Sequence, residues 1–228
     1  MSSIKLSEEK YCFFNRFSDK GRLENPRFFQ RLGNFPIVGL NVLEIGCGTG
    51  SLAIYMAQHG AKKVVALDIN SENIQYANMK LEREYPQYKN IVEYRNIPIQ
   101  MLDENENFDC IVSKDVFEHL HPFAENFEQI VSRMLPGDRL LAGFSPLYQS
   151  PFGGHGLTRF PYDHLFLPEK HVIARGNRRY KHNHTNIHDF GINKLKITDY
   201  LQAIHRSGLK IIFLEFNQSS KFRNLDPV

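Results

Sequence analysis

The sequence predicts an α/β protein with a doubly wound, mostly parallel sheet of six or seven strands. Short apolar runs alternate with helical stretches from Asn41 onward, as in successive βαβ units. The runs are apolar throughout, which is typical of strands buried on both faces. The chain has 228 residues, of which 42% are hydrophobic and 23% charged, and this composition is sufficient for one domain core.

The elements follow one another in a regular order as far as residue 146. Strands are predicted over 41–46, 62–69, 91–95, 108–113, 139–146 and, last, 209–216. Helices are predicted over 51–60, from an N-cap at Ser71, over 123–134 and over 197–207. Residues 7–34 indicate one or two amphipathic helices against the edge of the sheet. A seventh strand would have to come from 217–228, whose sequence is a poor strand.

These elements divide the chain into four parts. We expect a helical cap over 1–40, a ligand-binding α/β core over 41–146, an insertion over 147–196, and a helix and strand over 197–228 that complete the core. The insertion is rich in Pro, Gly, His and aromatic residues and has no clear periodicity. A segment of that kind is uncommon in a compact domain unless it is a lid or a binding element. Since six of the ten histidines lie between His155 and His188, we expect a lid after strand five that contacts the substrate.

Composition also excludes several classes of protein. No apolar run approaches the roughly 20 residues of a membrane span, and the first residues lack the apolar stretch of a signal peptide. The three cysteines, Cys12, Cys47 and Cys110, are too scattered for a disulfide framework. A net charge of +3 is well short of a nucleic-acid-binding signature. We therefore expect a cytoplasmic protein without nucleic-acid or membrane partners, and we leave a homodimer open.

The most specific motif runs from Glu44 to Gly50, between the first strand and the first core helix. Its glycines permit a tight turn and let a ligand approach the backbone. An ordinary glycine-rich turn is one interpretation. A dinucleotide fingerprint, which would favour a nicotinamide dehydrogenase, requires its third glycine where Ser51 stands. Glu44 at the strand end further disfavours a pyrophosphate at this position.

The segment VLEIGCGTG (42–50) resembles motif I of class I S-adenosylmethionine-dependent methyltransferases. Three further segments are similar to that family in the expected order: Asp68 near the end of the second strand, FDCIVSKDVFEHLHP (108–122) at the fourth, and MLPGDRLL (134–141) before the fifth. Asp138 departs from the family pattern, which has glycine there. The resemblance covers 41–146, and it implies a Rossmann-like methyltransferase fold with S-adenosylmethionine as cofactor.

The resemblance also implies which residues bind the cofactor. In this family the glycine loop wraps the methionyl moiety, an acidic residue holds both ribose hydroxyls, and the ends of the next strands contact the adenine and the amino acid. The corresponding residues are Glu44, Gly46, Cys47, Gly48 and Gly50 for the methionyl end, Asp68 for the ribose, Ile69, Asn96 and Ile97 for the adenine, and Lys114 through its backbone carbonyl. Asn96 replaces the usual acidic residue, but its amide oxygen can still accept a hydrogen bond.

Histidines are the candidate catalytic residues, because a hydroxyl acceptor needs a general base and imidazole suits that role near neutral pH. His155 lies on a glycine-flanked loop after strand five, where the family commonly builds the acceptor pocket, and is the first choice. His164 is the second choice within the insertion. His119, just past strand four, is a further candidate. The alternative for each is a structural histidine bound to a backbone carbonyl.

Other polar and aromatic residues are open to two interpretations. Tyr11, Phe14 and Arg16 either close the cofactor pocket or simply pack. The histidines of the pattern His182-x-His184-x3-His188 have one local carboxylate, Asp189, and no cysteine nearby, so we expect no metal. A basic run contains Arg175, Arg178, Arg179 and Lys181. Such a run is usually a solvated loop, and the second interpretation is binding of an acidic or phosphorylated acceptor.

The expected function is therefore S-adenosylmethionine-dependent methyl transfer to a hydroxyl of a small molecule or glycan-like acceptor, with a histidine base. An N-methyltransferase acting on an amine and a catalytically silent module with the cofactor fold are the alternatives. Ser113-Lys114-Asp115-Val116 stands where enzymes that methylate adenine or glutamine amides carry a D/N-P-P-Y/F motif. That absence disfavours those substrates.

Overall fold

The computed structural model describes residues 6–216, which are built around a five-stranded parallel sheet. Its strands are β1 (Asn41–Ile45), β2 (Lys63–Leu67), β3 (Val92–Arg95), β4 (Cys110–Lys114) and β5 (Arg139–Gly143). They lie in the order β3-β2-β1-β4-β5. The direction of winding reverses between β1 and β4, and ligands of such sheets bind in the crevice beyond the carboxyl ends of the strands at this point.

Seven α-helices surround or extend the sheet within the described residues. They are α1 (Glu8–Arg31), α2 (Ser51–Gln58), α3 (Ser71–Glu84), α4 (Phe123–Val131), α5 (Asp163–Phe166), α6 (Glu169–Tyr180) and α7 (Ile197–Arg206), with short 3-10 turns at Pro86–Tyr88, Ile99–Met101 and Ile187–Phe190. The N-cap of α3 is Asn70, whose side chain accepts from the backbone N–H of Glu72 and Asn73. Ser71, the predicted cap, is instead the first helical residue, because the Asn70 amide oxygen already accepts from these two donors.

The two faces of the sheet are covered by different helices. Val42 points to a core shared with α1, α2 and α3, and Leu43 points to a core shared with α4 and α7. Both side chains are completely buried. This burial on both faces explains why the strands are continuous apolar runs in the sequence.

The amino-terminal cap is one helix, α1, that crosses a face of the domain. The Tyr11 hydroxyl donates to Glu84 on α3 over 2.8 Å. At Gly21 an added Cβ would lie 2.3 Å from the Ser51 hydroxyl oxygen, so α1 lies almost against the start of α2. The helix packs on α2 and α3, and the Phe28 ring lies against Gly143 of β5, an edge strand of the sheet, where an added Cβ would come within 2.9 Å.

The predicted count of six or seven strands is wrong for the described part of the chain, which has five. Residues 209–216 have no regular secondary structure and pair with no strand among residues 6–216. Their large apolar side chains are solvent-exposed at Ile211, Ile212, Phe213, Leu214 and Phe216. A strand requires a hydrogen-bonded neighbour as well as β-propensity, and propensity is all that the sequence reports. The proposed seventh strand within 217–228 lies outside the described residues.

The segment 147–196 contains regular structure that the sequence does not predict. It carries α5, α6 and a 3-10 turn, and it has a small core of its own formed by Leu157, Val172, Ile187 and Ile192. Gly176 lies in the middle of α6, where an added Cβ would come within 2.8 Å of the Leu157 and Phe190 side chains. The sequence does not predict α6 because the exposed face of this helix is charged and its buried face contains a glycine in place of an apolar side chain.

Candidate functional site

The glycine loop between β1 and α2 contains three glycines with positive φ, whose surroundings are of two kinds. An added Cβ at Gly46 would lie 2.4 Å from the Val116 side chain, and one at Gly50 would lie 2.5 Å from the Tyr94 hydroxyl. An added Cβ at Gly48, whose φ is +51°, would have no neighbour within 4 Å. Gly46 and Gly50 therefore permit close packing, whereas Gly48 exposes its backbone to open space that a ligand can enter.

Cys47, between two of these glycines, has a structural position. Its backbone N–H donates to the carbonyl of Leu67 over 2.9 Å, which ties the loop to the end of β2. Burial raises the pKa of the Cys47 thiol well above its ordinary value. The side chain is therefore a neutral thiol, and what Cys47 offers a ligand is the position of its backbone.

Glu44 is a buried carboxyl group beside the loop, with 3% of its surface exposed. Burial, and then the neighbouring charge of Asp68, raise its pKa to about 8. Its Oε2 atom has no hydrogen-bond partner among the described residues. Buried polar atoms without partners are uncommon and indicate a missing ligand or water. A cationic group fits here because it would stabilise the ionised form of the Glu44 carboxylate, which burial disfavours.

Asp68 follows β2, and backbone groups fix its carboxylate at both oxygens. Oδ2 accepts from the Gly48 N–H over 2.8 Å, and Oδ1 accepts from the Asn70 N–H over 2.7 Å. Oδ2 also accepts, over 3.4 Å, from the Asn73 side-chain nitrogen. Oδ1 keeps a free lone pair, and Oδ2 can accept from a ligand hydroxyl in place of the long Asn73 contact. The contact with Gly48 also places this carboxylate at the open part of the glycine loop.

Asn96 and Ile69 form a shelf next to Asp68. The Asn96 side-chain nitrogen donates to the backbone carbonyl of Asp68 over 2.9 Å, which leaves its amide oxygen available to accept from a ligand amine. Ile69 is 79% exposed, and an exposed apolar surface beside a free hydrogen-bond acceptor suits a flat aromatic base. Ile97 packs with the core below and supports the shelf.

Lys114, at the end of β4, connects the site to the amino-terminal helix. Its ammonium lies 3.2 Å from the Glu24 carboxylate on α1. The next residue of α1, Asn25, is fully buried. Its amide nitrogen lies 3.4 Å from the Ser51 hydroxyl oxygen, and its Oδ1 atom has no hydrogen-bond partner among the described residues. Sequence analysis misses Glu24 and Asn25, because no motif marks them and their partners are distant along the chain. The other end of α1 packs: the Tyr11 and Phe14 rings contact Tyr76 of α3.

Two of the three candidate bases lie side by side. The ring centroids of His119 and His155 are 5.0 Å apart. His119 Nδ1 is 2.6 Å from the Gly191 carbonyl, and His155 Nε2 is 3.0 Å from the Pro146 carbonyl. A carbonyl only accepts, so these nitrogens carry the protons. The lone pairs are then on His119 Nε2 and His155 Nδ1. Burial, and then the neighbouring His119, lower the pKa of His155, which keeps it neutral and able to accept a proton.

His164 is separate from that pair and is 3% exposed. Its Nε2 donates to the Tyr148 carbonyl, and its ring packs edge-on to the Tyr148 ring at 5.0 Å. An added Cβ at Gly154 would also lie 2.9 Å from the His164 side chain. This histidine holds the start of the segment 147–196 together and is the least accessible of the three.

Glu118 is a buried acidic residue that sequence analysis misses, although it stands inside the E-H-L motif. It is 2% exposed, its Oε1 accepts from the Ser145 N–H over 3.0 Å, and its Oε2 has no partner among the described residues. Burial raises its pKa to about 8. The carboxyl group therefore bridges the ends of β4 and β5 immediately beside His119.

Metal-binding groups and membrane-spanning helices are two further features to consider within residues 6–216. Among residues 6–216, no three His, Cys, Asp or Glu side chains are grouped so that they could hold a metal ion. The His182 and His184 rings are 4.7 Å apart, whereas His188 Nδ1 is bound to the Ile192 carbonyl. No described helix has the length and apolar character that crossing a membrane would require.

Comparisons with known proteins give the same class as the site geometry. A family model described as a methyltransferase domain matches residues 15–188. The ubiquinone biosynthesis O-methyltransferase of Rhodopseudomonas palustris (strain TIE-1) is 29% identical over 98 residues, 43% of this chain and 37% of that protein. Its namesake from Acinetobacter baylyi is 31% identical over 117 residues, 50% of this chain and 47% of that protein. The chain spans less than half the length of these two relatives.

A solved structure shares the fold over most of the chain. The S-adenosylmethionine dependent methyltransferase from Mesorhizobium loti has a TM-score of 0.59 at 19% identity, over 84% of this chain and 82% of that one. The chain therefore has a Rossmann-like methyltransferase fold, as the sequence predicts. The chain belongs to the methyltransferase-domain family whose model covers residues 15–188.

The residues around Gly48 fit the family's cofactor. The unpartnered Glu44 oxygen suits the ammonium of the methionyl moiety, and the Asp68 carboxylate suits the two ribose hydroxyls. The open space at Gly48 lies between them. These features lie at the carboxyl ends of β1 and its neighbour β2, next to the point between β1 and β4 where the winding of the sheet reverses.

Proposed function

We propose that this protein transfers the methyl group of S-adenosylmethionine to a hydroxyl of a small molecule or glycan-like acceptor. The single observation that carries this proposal is the pairing of His119 and His155 at 5.0 Å between ring centroids. One follows β4 and the other follows β5, so both belong to the half of the sheet across the reversal of winding from Asp68 at the end of β2. The names of the curated relatives, which are O-methyltransferases, support the same acceptor group.

Each site residue has a distinct task in this proposal. Glu44, Gly46, Cys47, Gly48, Gly50 and the Lys114 carbonyl hold the methionyl moiety, Asp68 holds the ribose, and Ile69, Asn96 and Ile97 hold the adenine. When bound, the cofactor supplies an electrophilic methyl group on a sulfonium. The protein aligns the acceptor oxygen, excludes water and removes the hydroxyl proton.

The proton acceptor in this proposal is one imidazole of the histidine pair. His119 presents Nε2 and His155 presents Nδ1 as free lone pairs, since their other ring nitrogens donate to the Gly191 and Pro146 carbonyls. Fixing the tautomer and ring orientation in this way is how enzymes prepare a histidine base. His164 is the third candidate, and its burial makes it the weakest.

The segment 147–196 is proposed as the lid and acceptor-binding part, 41–146 as the cofactor-binding core, 1–40 as the helical cap and 197–228 as the completing part. His155 belongs to the lid, whereas His119 belongs to the core. The acceptor would therefore be held between the lid and the core. The small hydrophobic cluster around Leu157 and Val172 would give the lid its shape.

Calorimetry with S-adenosylhomocysteine tests the cofactor half of the proposal. Asp68→Ala should abolish binding, because it removes both ribose acceptors. Asp19→Ala, an exposed aspartate on α1, should leave binding unchanged and is the matched control. Binding that survives Asp68→Ala would overturn the assigned cofactor site.

Methyl transfer to a panel of phenols, catechols and amines tests the acceptor half. His119→Gln and His155→Gln are compared, since glutamine keeps a donor for each carbonyl but cannot accept a proton. A loss of about 10²- to 10⁴-fold in kcat in one variant is expected of a general base. An amine substrate whose turnover is unaffected by either variant would establish the N-methyltransferase alternative. Cofactor binding without turnover of any acceptor would support the silent module.

A further inference from the structure

Four arginines line one cavity on the segment 147–196, away from the cofactor-binding loop. The cavity has a volume of about 360 Å³. Three of the arginines lie on α6 at helical positions i, i+3 and i+4, which share one face, and the fourth comes from the loop after His155. The lining residues are Leu157, Thr158, Arg159, Arg175, Arg178 and Arg179, and we name this cavity the arginine cleft.

Positive charge in the arginine cleft is poorly compensated within the described residues. Arg175 lies 3.7 Å from the Asp163 carboxylate, which is the one acidic group paired with these side chains in residues 6–216. Arg179 donates to the Gly156 carbonyl over 2.9 Å, and the Arg159 guanidinium lies 5.4 Å from the Phe160 ring centre. Arg175 and Arg179 are also like charges at i and i+4, an arrangement that destabilises a helix. The cleft therefore concentrates an excess of positive charge that an anion would neutralise.

The chemistry of guanidinium selects the class of anion. Its planar fork of donors matches two oxygens of a phosphate or carboxylate at once. Four such groups around one cavity provide more donors than a single carboxylate can use, whereas a phosphoryl or diphosphoryl group has enough oxygens for all of them. The cavity volume lies within the range of roughly 300–1,000 Å³ that small-molecule sites occupy.

Covalent connection places the arginine cleft near the candidate base. Arg159 is four residues after His155, and a chain of four residues spans at most about 14 Å. Arg179 holds the carbonyl of Gly156, the residue next to His155. An anion bound in the cleft and a hydroxyl at His155 can therefore belong to one small molecule.

We propose that the arginine cleft binds a phosphoryl or diphosphoryl group carried by the methyl acceptor, which makes the substrate a phosphorylated small molecule. This inference rests on the proposed function, because it assigns the specificity of the same acceptor site. The anionic group anchors the acceptor at α6 and the loop of Arg159. The hydroxyl to be methylated then lies toward His155.

The test uses the whole protein and inorganic pyrophosphate as the probe, with binding measured by calorimetry at low and high salt. Arg159→Gln and Arg178→Gln should each weaken pyrophosphate binding by about tenfold, since each removes one charge-assisted contact. Arg178→Lys should weaken it less. Arg27→Gln, an exposed arginine on α1, is the control that removes one charge elsewhere and should bind as the wild type does.

Unchanged binding in both glutamine variants, or no binding of pyrophosphate by the wild type, overturns the proposal. Tighter, equally arginine-dependent binding of an RNA oligonucleotide or of vesicles containing anionic lipid also overturns it, since the ligand would then be a macromolecule or a membrane surface. Thermal melting verifies that each single variant is folded. Arg159→Gln and Arg178→Gln are made as separate proteins, so that the proposal can still be tested with one of them if the other is unstable.

S-adenosylhomocysteine binding, measured on the same samples, separates the two proposals. Loss of pyrophosphate binding with intact S-adenosylhomocysteine binding is the expected behaviour of the arginine variants. A protein that binds pyrophosphate but methylates no acceptor would contradict the proposed function alone. A protein that methylates an uncharged acceptor equally well in wild type and Arg178→Gln would contradict the cleft alone.

Discussion

The Tyr94 hydroxyl donates to the carbonyl oxygen of Gly50 over 2.6 Å, which joins the end of β3 to the glycine loop. Burial raises the pKa of Tyr94 well above its ordinary value, so the hydroxyl remains a donor at all moderate pH values. The tyrosine ring also fills the space that a side chain at position 50 would need. The third glycine of the motif is therefore required by the fold, whereas the space at the second is open to a ligand.

Alanine substitutions should separate these two requirements. Gly50→Ala should destabilise the fold by about 3 kcal/mol, from the clash with Tyr94 and the positive φ together. Gly48→Ala should cost about 1–2 kcal/mol for its φ alone and should abolish S-adenosylhomocysteine binding by filling the open space. Urea unfolding and calorimetry measure the two effects. Equal destabilisation by both variants would contradict the assignment.

Cofactor binding should release protons, because a cation next to Glu44 favours the ionised carboxylate. The pKa of Glu44 is about 8 without ligand, so this group is largely protonated at pH 7 and must lose its proton as the ammonium binds. Affinity should therefore rise between pH 6 and pH 8. Calorimetry in two buffers with different ionisation enthalpies counts the protons. The Glu44→Gln protein should release none, and release that persists in that variant would point to another group.

Glu118 should make the protein less stable as pH rises. Its pKa is raised from 4.5 to about 8 in the folded chain, so the folded state binds the proton more tightly, and this stabilisation is lost between pH 4.5 and pH 8. Glu118→Gln imitates the protonated form and should flatten this part of the pH dependence. Glu118→Ala should cost about 1–3 kcal/mol at pH 6, since the Ser145 N–H loses its acceptor. Denaturant unfolding at several pH values tests both, and an unchanged profile in the glutamine variant would refute the assignment.

The unpaired run 209–216 should tolerate polar substitution. Ile212 is 69% exposed, whereas Ile111 of β4 is completely buried. Ile212→Thr should change the free energy of unfolding by less than about 0.5 kcal/mol. Ile111→Thr is the matched substitution and should cost about 2 kcal/mol or more. Comparable losses at both positions would show that the run is packed in solution.

The β1 to β5 region could be predicted from sequence because buried parallel strands leave continuous apolar runs, and each observed strand lies within or one residue beyond its predicted range. Glu44, Gly48 and Asp68 occupy motif positions close to strand ends, which is why the sequence nominates them, and their cofactor-binding role stays a prediction. What could not be predicted depends on contacts between distant segments. Glu118 and Ser145 meet only when β4 and β5 pair, and α6 depends on the fit of Gly176 against Leu157.

The ion pair between Glu24 and Lys114 joins residues 90 positions apart in the chain. During synthesis at about 5–20 residues per second, α1 leaves the ribosome roughly 5–20 seconds before its partner at the end of β4 has been made. For that interval the buried face of the helix, including Asn25 and Phe28, has no β4 or β5 to contact. The residues of α2 and α3 are made earlier than those of β4, so α1 can pack on these two helices before Lys114 is available to Glu24.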